Sequence, residues 1–232
     1  MRRLLPTILF LLAGLPLFGV TGYDEPAWVY RGRGDRYYRE GEMGRAISEY
    51  KKAIIRRERE GEGTESYPEV HLMLARIYLE QGLPELALQH VMIAENTKES
   101  LEIGDQVYDI LYTKAKIFFM LDRIRDMEAV YTGIIGEDDN FEYYERQKLS
   151  SLSDEFIREL RAMADLRAKF GHAYYALGVL KYRNNSYDAA EPYLKMAFLY
   201  AYDANTARFL IDCYDKMGHR TESERVRQIV GE

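Results

Sequence analysis

Cysteine occurs once in the 232 residues, at Cys213, which excludes an internal disulfide framework. A single thiol on a helix reads as a small buried apolar residue. Only six prolines are present and long tracts lack glycine, so little interrupts helix. The four histidines, His71, His90, His172 and His219, show no HExxH and no close second ligand. The Cys213–His219 spacing is a weak pair that lacks two further ligands. No GxSxG, phosphate-binding glycine loop or GxGxxG is present. "EDDN" at 137–140 lacks calcium-ligand spacing and reads as a solvated loop before a helix. Carboxylates are plentiful, but their pairing across space is not readable from the sequence. The expectation is a non-enzymatic chain with no cofactor and no metal.

What is present is a globular composition, 47% hydrophobic and 30% charged, with twenty tyrosines. Tyrosine buries a large ring and keeps a polar tip, so it suits grooves as well as cores. The chain opens "MRR", then "LLPTILFLLAGLPLFGV" at 4–20, then "TGYDEP". A basic start, an uncharged apolar run and a small-residue exit predict a secretory signal over 1–22. Cleavage after Gly22 or Gly19 fits the small-residue preference. Prolines and glycines inside the run make it a poor bilayer span, so an uncleaved anchor is the alternative. The formal charge is −6, and −8 once Arg2 and Arg3 are removed. An acidic chain argues against nucleic acid, whose binding needs phosphate neutralisation.

A spacing recurs along 23–232. Gly34, Ala75, Ala115, Gly178 and Ile211 can be aligned. Three residues on stand Tyr37, Tyr78, Phe118, Lys181 and Tyr214. Seven on stand Gly41, Gly82, Asp122, Asn185 and Gly218, all residues that tolerate positive φ. Twelve on come Ala46, Ala87, Met127, Ala190 and Ser223, and nineteen on come Ala53, Ala94, Ile134, Ala197 and Val230. Small residues let two short helices cross closely, an aromatic fills the space beside them, and the turn residue reverses the chain. One such hairpin cannot bury its apolar face, so neighbours stack.

The pattern resembles the tetratricopeptide repeat, carried best by "YRGRGDRYYREGEMGRAISEYKKA" and "HLMLARIYLEQGLPELALQHVMIA". "LYTKAKIFFMLDRIRDMEAVYTGI" and "YYALGVLKYRNNSYDAAEPYLKMA" match less well, because Met127 and Ile134 replace alanines and Lys181 replaces an aromatic. "FLIDCYDKMGHRTESERVRQIV" places Arg227 where an aromatic is expected, as suits a polar capping helix. The resemblance implies an all-α fold, an α-solenoid or superhelix of about five helix–turn–helix repeats. They fall near 27–60, 68–101, 108–141, 171–204 and 204–232. The spacing between the third and fourth is long enough for an extra amphipathic helix over 153–170, N-capped by Ser153. Phe156, Leu160, Met163 and Phe170 supply its apolar face. Either a degenerate repeat or a helix continuing into the next fits the pattern.

In such a stack the first helix of each hairpin lines a concave face. Residues three or four apart share that face, and a partner groove is expected at Tyr38, Leu72, Arg76, Leu79, Tyr112, Lys116, Phe119, Tyr175, Tyr182 and Arg183. An aromatic and aliphatic surface with interspersed cations suits an apolar or acidic-aromatic peptide. Internal packing of the same side chains and self-association are the competing readings. The carboxylate clamp of one family sub-class is not supported, since Asp35 and Arg76 occupy the ninth positions of the first two copies. The functional expectation is an exported scaffold or adaptor in the periplasm or cell envelope that binds a protein or peptide. The alternatives are a self-assembling structural protein, forming homo-oligomers, and an accessory component in solute capture. Membrane contact is expected only through an uncleaved N-terminal segment.

Overall fold

The computed structural model describes residues 25–61, 67–162, 164–201 and 203–231. The expected signal over 1–22 and Met163 lie outside the described residues. Among those described there are twelve α-helices and no strand. In chain order they are α1 (Ala27–Arg39), α2 (Met43–Arg59), α3 (Pro68–Glu80), α4 (Pro84–Asn96), α5 (Gln106–Met120) and α6 (Ile124–Ile135). There follow α7 (Phe141–Glu145), α8 (Asp154–Ala162), α9 (Ala164–Arg183), α10 (Tyr187–Ala201), α11 (Ala204–Met217) and α12 (Arg220–Val230). Consecutive helices pack as pairs: α1 with α2, α3 with α4, α5 with α6, α9 with α10, and α11 with α12. Each pair also leans on the next, so the molecule is an all-α array of stacked hairpins.

One turn recurs at five places. Gly41, Gly82, Asp122, Asn185 and Gly218 have φ of 78°, 72°, 55°, 59° and 75°. The following amide donates back to the carbonyl five residues earlier: Glu42 to Tyr37, Leu83 to Tyr78, Arg123 to Phe118, Ser186 to Lys181 and His219 to Tyr214. All five bonds are between 2.8 and 3.0 Å long. The turn residue's own amide bonds the carbonyl three back, which closes a left-handed helix cap that satisfies two orphan carbonyls. Pro68 and Pro84 sit in the first turns of α3 and α4, where a missing N–H costs nothing. At α11 the Asp203 carboxylate caps the amides of Asn205 and Thr206 at 2.9 and 3.0 Å.

The aligned small residues are the crossing points. A Cβ added to Gly34 would lie 2.6 Å from the Tyr50 ring on α2, and one on Gly178 would lie 2.8 Å from Leu194 on α10. Ala75 and Ala115 are fully buried, as are Ala46, Ala53, Ala87, Ala94, Ala190 and Ala197. The core forms two clusters, one around Tyr50, Leu74, Ile77 and Ile110, the other around Tyr174, Leu194, Phe198, Tyr200 and Tyr214. The departures from the pattern have partners. Lys181 pairs with Glu128 of α6 at 3.0 Å, and Arg227 pairs with Asp215 of α11 at 2.7 Å.

The stretch read as one helix over 153–170 is helical in its described residues from Asp154, as α8 and the opening turns of α9 on either side of Met163. Ser153 does cap it, its hydroxyl accepting from the Phe156 amide at 3.1 Å. With α7 and a short 3-10 turn at Leu149–Ser151, α8 forms an insert laid against α10 and α12. Lys195 is buried beneath it and donates to the carbonyls of Glu145 and Gln147, both at 2.9 Å. Glu222 of α12 accepts from the amide and hydroxyl of Ser150, and Arg225 holds the Leu152 carbonyl and the Asp154 carboxylate. The "EDDN" loop is solvated only in part. Asp138 is 7% exposed and accepts from the hydroxyls of Tyr174 and Tyr200 at 2.7 Å each, because it enters between α9 and α10.

Candidate groove between the third and fourth helical hairpins

Six of the ten residues expected to face a groove come together. Arg76 of α3, Tyr112, Lys116 and Phe119 of α5, and Tyr175 and Arg183 of α9 line one open concavity of about 500 Å³. Their helical spacing explains this: 112, 116 and 119 stand on one stripe of α5, and 175, 179 and 183 on one stripe of α9. Val179 is the middle residue of that second stripe. Tyr182 lies instead in an adjoining hollow of about 390 Å³ with Arg208, Phe209 and Asp212, and Tyr175 borders both. Its hydroxyl donates to Asp212, which together with burial pushes its pKa up to about 12.

The remaining three are elsewhere. Leu72 and Leu79 are 5% and 6% exposed and belong to the first core cluster. The connection after α4 lies over that face: Leu101 packs on the same cluster, and the Glu102 amide donates to Glu69 at 2.9 Å. Arg31 of α1 pairs with the Glu102 carboxylate at 3.0 Å. The extra residues between the second and third hairpins therefore close what would be the groove's first half. Tyr38 is half-buried on α1, its hydroxyl donating to Glu80 at 2.5 Å.

The floor comes partly from a second helix, which the sequence reading did not include. Ile124, Met127 and Tyr131 of α6 line the concavity. Met127 stands where three of the other hairpins bury an alanine, and that larger side chain was the signal in the sequence. His172 meets Tyr112 and Tyr131 edge-on, with centroids 5.1 and 6.2 Å apart. Desolvation beside these rings lowers its pKa, though the residue keeps an exposed edge. The Tyr112 hydroxyl donates to the Lys169 carbonyl, and burial raises the Tyr112 pKa. The opening turns of α9 are thus tied to α5, which fixes the groove's width at that end.

The rim is cationic. Arg76 is partly neutralised by Asp109 at 3.2 Å, whereas Lys116 and Arg183 are exposed and make no ion pair among the described residues. Phe119 is 60% exposed beside Lys116, so a large apolar ring and a free cation face the same solvent. The arrangement can hold an apolar or aromatic group on Tyr, Met and Val surface while a carboxylate meets the rim.

Outside the groove several buried titratable groups have structural partners. Cys213 is buried, its thiol donating to the Tyr187 carbonyl at 3.2 Å, and burial pushes its pKa up to about 12. His71 and His90, which form no ligand motif in the sequence, are brought together by α3 and α4 with their Nδ1 atoms 3.0 Å apart, so one must donate to the other. Among the described residues no group of three or more His, Cys, Asp or Glu side chains is placed to hold a metal ion. No described helix is long and apolar enough to cross a membrane. No family model matches the chain, and no curated protein matches it.

Proposed function

We propose that the five hairpins are tetratricopeptide-type repeats and that the chain is an exported, non-enzymatic scaffold of the periplasm or cell envelope. It holds a protein or peptide partner in the groove formed by α5, α6 and α9. The observation that carries this reading is the combination at that groove of exposed Phe119, an aromatic floor and two cations that have no ion-pair partner among the described residues. A segment with an acidic group next to an apolar or aromatic one is the complement. Export rests on the basic, apolar and small-residue order of residues 1–22.

Capture from an envelope extract compares the wild type with Phe119→Ala/Lys116→Glu/Arg183→Glu. A partner held by the wild type and lost by the variant, at unchanged helical content, is the expected result. Equal recovery by both removes the groove from the proposal. Self-association through the same face is the second reading, favoured by Met120, which is 45% exposed next to Phe119. Light scattering across a wide concentration range separates the two, since a strict monomer ends the second.

A further inference from the structure

The molecule already holds one extended segment of its own across the face expected to be concave. After α4 the chain passes through Leu101 with φ −63° and ψ 132°. Leu101 packs on the first core cluster, the Glu102 amide donates to the Glu69 carboxylate at 2.9 Å, and the Glu102 carboxylate meets Arg31 at 3.0 Å. An apolar residue followed by an acidic one is thus held between two hairpins by a packed side chain, a main-chain amide and an ion pair.

The registers of the two holding residues recur on the last hairpin. Arg31 stands three residues before Gly34, and Arg208 stands three before Ile211. Glu69 stands six before Ala75, and Asn205 stands six before Ile211. Arg208 and Asn205 line the hollow of about 390 Å³ on α11, which shares Tyr175 with the groove and is therefore continuous with it. Phe209 walls this hollow, edge-on to Tyr175 and Tyr182 with centroids 6.0 and 5.2 Å apart. Arg31 has Glu102, whereas Arg208 is exposed and makes no ion pair among the described residues. Asp212 lines the same hollow, but its carboxylate accepts from the Tyr182 hydroxyl and pairs with Lys216 at 3.7 Å.

We propose that the partner segment continues in extended form from the groove onto α11, where Arg208 takes an acidic side chain as Arg31 takes Glu102. This rests on the reading of the groove as the partner site and adds a second anchoring point to it. Asn205, in the register of Glu69, offers its side-chain oxygen to a main-chain amide of the segment. Packed helices stand about 8–10 Å apart and an extended chain advances about 3.3 Å per residue. The second acidic residue therefore falls about three places from the residue held at Tyr175.

Synthetic fluorescein-labelled peptides in a glycine–serine background test this on the full chain by fluorescence anisotropy. A short peptide carries one Phe-Glu pair, and a long one adds a second Glu three places from the Phe, made in both directions. The better long peptide is expected to bind roughly fivefold tighter than the short one. Arg208→Glu, whose side chain is exposed, is expected to remove that gain and leave the short peptide's affinity unchanged. Lys116→Glu/Arg183→Glu is expected to weaken both peptides, and Lys148→Glu, which changes the charge equally away from the groove, to weaken neither. Equal affinity of short and long peptides for the wild type, or equal losses in Arg208→Glu and Lys148→Glu, overturns the proposal and leaves the groove reading standing. Binding of neither peptide by the wild type overturns both.

Discussion

Gly34 and Gly32 stand two residues apart on α1 and answer opposite questions. At Gly34 an added methyl meets the ring of Tyr50, which is fully buried and anchored by its hydroxyl to Asp35 at 2.7 Å, so the ring cannot swing away. Gly34→Ala is expected to destabilise by about 1–3 kcal/mol in urea melts. Gly32 has nothing within 4 Å, so Gly32→Ala gains helix propensity and is expected to stabilise by about 0.5–1 kcal/mol. Glycines alike in sequence are thus separated by what a Cβ would touch. Only the recurrence of the spacing marked Gly34 in advance.

The histidine pair belongs to the same scale. Burial chiefly, with His71 and Lys51 adding repulsion, lowers the His90 pKa to about 4, against about 6.5 for the free side chain. Between those values the unfolded chain binds the proton and the folded chain does not, so stability falls as pH drops from 6.5 towards 4. Urea midpoints measured from pH 7 to pH 4 are expected to decline, and His90→Gln is expected to flatten part of that decline. The lowered pKa of His172 contributes to the rest, in the same direction. Nineteen residues of separation hid this pair in the sequence, because only the hairpin crossing brings the two rings together.

Among elements, the turns, the crossings and the Ser153-capped helix α8 were legible, whereas α7 and the anchoring of the insert were not. All five residues chosen for positive φ adopt it, including Asp122 and Asn185, because a local cap leaves its mark on local sequence. The insert of α7 and α8 sets Tyr144, Leu149 and Leu160 in the second core cluster and is tied down by long-range polar contacts through Asp138, Lys195, Glu222 and Arg225, which carry no periodic signal. Asp138→Ala removes the acceptor shared by the buried hydroxyls of Tyr174 and Tyr200. It is expected to cost about 2–4 kcal/mol in denaturant melts and to expose the insert to proteolysis before the hairpins. The groove was half legible for a related reason. Helical spacing placed Tyr112, Lys116, Phe119, Tyr175 and Arg183 together, while the fold of 97–105 over Leu72 and Leu79 depends on contacts with Glu69 and Arg31.

For the whole molecule, stacking concentrates two properties in two places: an aromatic groove at the third and fourth hairpins and a polar cap at α12. Two exposed aromatics allow the groove to be tested against the remaining surface, since Phe119 and Tyr143 are each 60% exposed and only Phe119 lines the concavity. The most direct measurement replaces each in turn with a photoreactive phenylalanine analogue and irradiates the chain in an envelope extract. A discrete crosslink to a second polypeptide from position 119, absent from position 143, is the expected result. No crosslink at 119, or the same products and yield from both positions, would contradict the assignment of this groove as the binding site.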